Sequence, residues 1–453
     1  MDRYSFYITF FDNIYLFFTS MLFTTLFLYI SIRKLSITGL LDPVNFYWTF
    51  TFGTAYGIVL ALFIHGDIST STFIIILSYC LVFIIATKLF LKIKIKPFNK
   101  VFNKLFLHKY EPKFLFYFIL FLFIMDIIII VYFIGFGFLA EENRFEQNKG
   151  MGIFVRIFAV FRLFFVAYFT LLINKTFKKH GFYNFNFLFK ALMFILFIIF
   201  TILIDGAKFG LLESILVIIL SLSLVNNYTR ISLFKMISVI TISFTFAIVI
   251  YSVNIDKHGL SERESSYIPG VPFVFEAISF RILANGDKYF LSLPNDVIET
   301  IKTKNIFVSL LAPIIGSSRM SNIVGYNVSF YSIGKQILLY WDPEFDTAGG
   351  PTSHYDLFAY KYFGFFGGFI WVIFTAFVLV GIKNITLLSL NTKFSISVFS
   401  VLWFRSFALI LEPPLGLAYI IDVLVIFGLL VIFYLIVKGS TVVKILPYKR
   451  IPR

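Results

Sequence analysis

Apolar positions in this chain come in long unbroken runs, not in the alternation of a half-buried strand or the stripe of a surface helix. TFIIILSYCLVFIIATKLF at 72–90 and FLFYFILFLFIMDIIIIVYFIGF at 114–136 are two of them. A run of about 20 apolar helical residues matches a hydrocarbon core of about 30 Å. The runs predict about 11 transmembrane helices, with 10–12 as the range. They fall near 13–32, 43–64, 72–91, 114–134, 153–173, 188–204, 209–225, 236–252, 358–381, 394–411 and 416–437. YSFYITFFD at 4–12 reads either as an interfacial segment or as an extension of the first span. The first run lacks a following small-residue cleavage site, so it is expected to be a permanent anchor.

Polar residues between the runs give three parts. Residues 1–252 carry the first eight spans, 253–357 form one large loop, and 358–453 carry the last three spans and a tail. The loop is punctuated by Pro269-Gly270, Pro272, Asn285-Gly286, Pro294-Asn295, Pro313 and Gly316. VFEAISFRIL at 274–283 and NDVIETIK at 295–302 predict short amphipathic helices within it. FVSLLAPIIG at 307–316 is apolar but too short to span, and is expected to dip into a leaflet or to cover the spans.

Composition agrees with this class. The chain is 59% hydrophobic and 14% charged, and Phe alone supplies 64 of 453 residues. Soluble domains carry about 25% charged residues. Strands of a membrane barrel would be shorter and alternating. The fold class is therefore an all-α polytopic membrane protein. The single cysteine, Cys80, lies in a predicted span and excludes a disulfide framework or a Cys-based metal site.

The net charge of +15 is unevenly placed. More than half of the 39 lysines and arginines lie in one set of loops, span ends and the tail, including KIKIKPFNKVFNKLFLHKYEPK at 92–113, KTFKK at 175–179 and KGSTVVKILPYKR at 438–450. The opposite turns HGDIST, EENRFEQNKGMG, DGAKFG and EPPLG are poor in them. The positive-inside rule puts the basic set and the C-terminus in the cytoplasm, and the large loop on the outside. The lysine run at 92–113 is then a topology determinant beside anionic lipid, and no nucleic-acid partner is expected.

Ionisable residues inside spans are costly and ask for a reason. Asp126 and Arg162 fall about 12–14 Å below the outer surface, in position to pair across adjacent helices. Arg405 and Asp422 reach a similar depth in the last two spans, with Glu412 on the outer side of Arg405. Arg144, Arg156, Lys208, Asp205 and Glu213 lie at neighbouring outer turns, while Lys88 and Lys190 snorkel to the other surface. Polar groups confined to one leaflet fit a head-group-sized anionic ligand, with phosphate the first candidate. Structural ion pairs and snorkelling account for the same residues without a ligand.

WDPEFDTAGGPTSHYDLFAYKYFGFFGG at 341–368 concentrates acids, one histidine and a Gly-Gly-Pro corner just before a span. Asp342, Glu344 and Asp346 lack a loop-type metal-ligand spacing and read as a solvated acidic turn. His354 is either a solvated loop histidine or a base at the mouth of a site.

At this point the chain resembles the O-antigen polymerases, the oligosaccharide repeat-unit polymerases of bacterial inner membranes. The likeness lies in the topology and in NRFEQNKGMGIFVRI at 143–157, DGAKFGLLES at 205–214, FRILANGDKY at 280–289 and GGPTSHYDLFAYKYFGFFGG at 349–368. The resemblance implies a GT-C-like glycosyltransferase architecture with the large loop periplasmic. It implies transfer of a growing glycan from undecaprenyl pyrophosphate onto a single repeat unit carried by the same lipid. His354 would be the base, with Asp356 orienting it or acting as the base itself. Arg281 would stabilise the leaving pyrophosphate, and Arg144, Arg156, Lys208, Arg319, Arg162 and Arg405 would bind it. No cofactor and no metal are expected. A chain-length regulator is an expected partner through the resemblance alone. Two rivals share much of the pattern: an O-antigen ligase, with the same donor, and a lipid-linked oligosaccharide flippase, which needs a polar path through both leaflets.

Overall fold

The computed structural model describes residues 1–93, 113–137, 150–206, 210–226, 265–267, 270, 272–345, 350–388 and 392–437, and isolated positions between 238 and 252. Every regular element among them longer than a single bridge residue is helical, and the α-helices of six or more residues are labelled. In chain order they are α1 (Arg3–Asp12), α2 (Ile14–Ile32), α3 (Gly53–His65), α4 (Thr70–Lys92), α5 (Lys113–Phe133), α6 (Gly152–His180), α7 (Phe185–Asp205) and α8 (Gly210–Asn226). The large loop supplies α9 (Phe273–Leu283), α10 (Asp287–Ser292), α11 (Ile306–Ile315), α12 (Ser317–Val324) and α13 (Ile333–Trp341). The chain then continues through α14 (Tyr355–Leu388), α15 (Lys393–Ser406) and α16 (Pro413–Val437).

Among the described residues, 9 helical segments are long and apolar enough to cross a membrane. They match nine of the expected spans. The segment expected at 209–225 is α8, which is shorter than a full span. The one expected at 236–252 lies largely outside the described residues. Lipid-facing surfaces keep large apolar side chains, such as Phe185 at 80% and Leu429 at 61% exposure, as a hydrocarbon solvent allows.

Several spans are broken where the sequence forces it. Asn13 (φ −117, ψ 35) ends α1, so residues 4–12 form a separate helix and not an extension of α2. α1 docks on the loop: Phe6 stacks on Phe290 at 3.7 Å, and Tyr7 on Phe280 at 4.1 Å. The span ending in α3 begins as a π-helix over Asn45–Phe52, a wound-out geometry often found beside functional sites. α14 is kinked at Gly364 (φ 67, ψ −176), a backbone region open essentially to glycine alone. The Tyr79 hydroxyl from α4 donates to the Gly364 and Phe365 carbonyls at 3.0 and 2.8 Å, which satisfies groups freed by the kink.

Within the loop, α9 forms where the pattern predicts helix, and the apolar segment at 307–316 is helical as α11. The helix expected over 295–302 shrinks to Val297–Thr300, because Asn295 and Asp296 take positive φ of 58° and 51°. The loop is fastened to the spans at several points: the Lys361 ammonium donates to the Ile298 carbonyl at 2.9 Å, and the Tyr360 hydroxyl bonds to Glu299.

Candidate functional site

The polar segment before α14 is locked in place from both sides. A Cβ at Gly334 would run into the Pro351 carbonyl, and one at Gly350 would meet the Gly334 backbone. Only two facing glycines let the 350–351 corner press onto α13. Beyond the corner, the Ser353 N–H donates to Glu412 Oε2 at 2.6 Å and the His354 N–H to the Leu411 carbonyl at 2.8 Å. The acceptors are the last residue and the C-cap of the short helix Ala408–Leu411, which connects α15 to α16. His354 itself is held at φ 51, an unusual position for a side chain of this size.

This geometry turns His354 inward. Expected at an open lip, it is 0% exposed, as is Asp356. The Lys288 ammonium, on α10, lies 3.0 Å from His354 Nε2 and also donates to the Asn285 carbonyl at 2.7 Å. The Tyr289 hydroxyl lies 3.0 Å from His354 Nδ1 and donates to the Asp356 carboxylate at 2.7 and 2.9 Å. Asp356 also accepts from the Tyr56 hydroxyl at 2.9 Å and from the Leu357 N–H at 2.8 Å. Tyr355 and Tyr56 hydroxyls are 3.1 Å apart, and the Phe52 ring, at the end of the π-helix, lies 4.3 Å from the imidazole.

With Lys288 protonated, donor and acceptor chemistry assigns the proton positions. An ammonium only donates, so Nε2 accepts and the ring proton sits on Nδ1. Nδ1–H then donates to the Tyr289 oxygen, whose own proton goes to Asp356. The result is a directional chain Lys288–His354–Tyr289–Asp356 that joins the loop to α3 and α14. Burial, and then the Lys288 charge, hold His354 well below the usual histidine range, so its ring is neutral. Burial lowers Lys288 too, opposed mainly by Asp287 beside it. Burial, then Asp356, pushes the Tyr289 hydroxyl up. Burial also raises Glu412, against the pull of its Ser353 hydrogen bonds.

A second polar group lies among α6, α8, α15 and α16. Arg162, 1% exposed, pairs with Glu213 and with Asp205 at 3.4 Å. The expected Asp126–Arg162 pair is therefore not made: Arg162 reaches across to the α7 end and α8. Both Asp126 oxygens are buried without a hydrogen-bond partner among the described residues. Asp422 pairs with Arg156 at 3.4 Å, and Arg156 also donates to the Ile314 carbonyl at 3.1 Å. Arg405, 7% exposed, lies 3.9 Å over the Tyr419 ring and makes no ion pair with a carboxylate among the described residues.

The remaining candidates scatter. Arg281 is exposed on the last turn of α9, outside the buried chain, and Arg319 is exposed on α12. Arg144 and Lys208 lie outside the described residues. Asp342 and Glu344 are exposed in a turn, and Asp346 lies outside the described residues. No three His, Cys, Asp or Glu side chains among the described residues converge as a metal site would require. Lys288, Tyr289 and Tyr56 were not singled out from sequence. Lys288 and Tyr289 do stand in FRILANGDKY, where a lysine beside an Asn-Gly turn was the available signal. Tyr56 sits in a plain apolar run and carried none.

No family model, no curated protein and no solved structure matches this chain.

Proposed function

We propose that the chain is a membrane glycosyltransferase of the O-antigen polymerase kind. It acts on the non-cytoplasmic side of a bacterial inner membrane, on undecaprenyl-pyrophosphate-linked oligosaccharides. A hydroxyl of the single acceptor unit attacks the anomeric carbon of the donor glycan. The bond from that carbon to the pyrophosphate breaks, the hydroxyl proton passes to a base, and undecaprenyl pyrophosphate leaves with the electron pair.

The observation that carries this reading is Arg405. A buried cation in a span costs free energy unless something completes it. Arg162 pairs with two acids and Arg156 with Asp422; Arg405 shares the neighbourhood of Asp422 but lies over a tyrosine ring with no carboxylate at ion-pair distance among the described residues. A lipid pyrophosphate drawn from the surface into the space between the spans would be the anion that completes the site. In this reading Arg405 contacts the pyrophosphate, and Arg156 and Arg162 shape the field around it. Arg281, Arg319, Arg144 and Lys208 capture the head group from outside. The Lys288–His354–Tyr289–Asp356 chain takes the proton. When a phosphate draws the Lys288 ammonium away, Nε2 is released as an acceptor, and Tyr289 and Asp356 fix the ring while it accepts.

Deletion of the gene in its host, with the surface glycan run on a gel, tests the activity. A polymerase defect leaves the lipid A core capped by one repeat unit. Bare lipid A core with polymer left on undecaprenyl pyrophosphate would instead identify a ligase, and no outside units at all a flippase. Arg405→Ala and His354→Ala, restored to the deletion strain, are expected to accumulate in the membrane and to give single units. Full ladders from both would remove these residues from the reaction.

A further inference from the structure

α11 exposes a stripe that the proposed chemistry does not use. Phe307 and Leu311, one turn apart, are 69% and 43% exposed. On its other faces, Ile306 and Leu310 pack on the main core, and Ala312 joins Met320 and Val328 in a small second core shared with α12. Ile323 on α12 is 71% exposed. In a water-exposed loop, such side chains would stand without partners.

The depth of α11 points to what covers them. α11 packs along α16. One guanidinium, that of Arg156, reaches both the Ile314 carbonyl at the end of α11 and the Asp422 carboxylate. Asp422 lies more than two turns into α16, about 13 Å below its first residue at 1.5 Å per residue. The end of α11 therefore sits beside the body of a span, at a depth where that span's own outward residues, such as Val425 at 49% and Leu429 at 61% exposure, face lipid. Charge is arranged accordingly: Lys302 and Lys304 precede α11 and Arg319 lies on α12, all exposed, where phosphate head groups would meet them.

We infer that α11 is inserted as a wedge among the acyl chains of the leaflet on the loop side, with Phe307 and Leu311 in direct contact with lipid. The inference does not depend on the glycosyltransferase reading. It makes the loop a peripheral membrane element as well as a cap on the spans, held at a fixed depth by Arg156.

Cys80, the only cysteine, is buried, so single reporters are simple to place. In a Cys80→Ala background, Phe307→Cys, Leu311→Cys, Leu429→Cys and Glu344→Cys are each labelled with a small fluorophore. The full chain is reconstituted in vesicles of phosphatidylethanolamine and phosphatidylglycerol. Acyl-brominated lipid is expected to quench the 307 and 311 labels within about twofold of the 429 label, while aqueous iodide quenches only the 344 label. The inference is overturned if iodide quenches 307 and 311 as it does 344. It is equally overturned if neither agent reaches them, which would mean that protein covers the stripe.

Discussion

Replacing Tyr289 by phenylalanine removes one oxygen and leaves the ring, so no cavity forms and the effect reports the hydrogen bonds alone. That oxygen donates to Asp356 and accepts from His354 Nδ1, in surroundings where Tyr289 is 0% exposed and water cannot substitute. A hydrogen bond to a charged group is worth about 1.5–3 kcal/mol, and a buried donor left unpaired costs about 1–3 kcal/mol. Asp356 keeps its bonds from Tyr56 and Leu357, which softens the first loss. The two ranges add to about 2.5–6 kcal/mol, and the softened first loss puts the cost in the lower half, near about 3 kcal/mol. Since the chain ties α10 to α14, the cost falls on loop docking, and about 3 kcal/mol multiplies the undocked population by roughly a hundredfold. Tyr355→Phe is the control. It loses only the 3.1 Å contact with Tyr56, worth about 1 kcal/mol. Limited proteolysis of the purified protein within residues 272–345 reads the undocked population. Tyr289→Phe is expected to be cut about a hundredfold faster than the parent, and Tyr355→Phe less than about tenfold. Equal rates for the two variants, or a Tyr289→Phe rate near the parent's, would refute the directional chain.

Three further outcomes follow from the same geometry. His354 is depressed by burial and Lys288, so the loop contact is strongest above the ordinary histidine value of about 6.5 and weakens as pH falls below it. Lys288 has the same sign, whereas Glu412, raised by burial, loses stability as pH rises above its ordinary value. The acid-induced gain in cleavage between pH 7.5 and 5 that His354→Asn abolishes is the histidine share, and asparagine tolerates the positive φ. Arg162→Met strands two acids and is expected to destabilise by about 3–5 kcal/mol, while Arg405→Met strands none and costs less; thermal unfolding in detergent ranks the two. Asp126→Leu removes a buried carboxyl with no partner among the described residues and is expected to raise stability by about 1–3 kcal/mol, read as a higher melting temperature.

The apolar runs were sufficient to predict the membrane class, because a span satisfies its own backbone and needs only length and hydrophobicity. Nine of the expected spans were legible for that reason, and α9 from its amphipathic period. The corner at Gly350-Pro351 was also legible as a corner. What the pattern could not supply was partner choice. Depth along a helix suggested Asp126 for Arg162, but rotation about the helix axis and the return of α8 delivered Glu213 and Asp205 instead. His354 stands beside polar residues in sequence, which suggests exposure. Two facing glycines and the α15–α16 connection bury it against Lys288 and Tyr289, which come from a distant part of the chain. Hydrophobic burial is a local property of composition and is written along the sequence. Hydrogen bonds and ion pairs depend on angles and distances between segments far apart in the chain, and only the packed structure decides them.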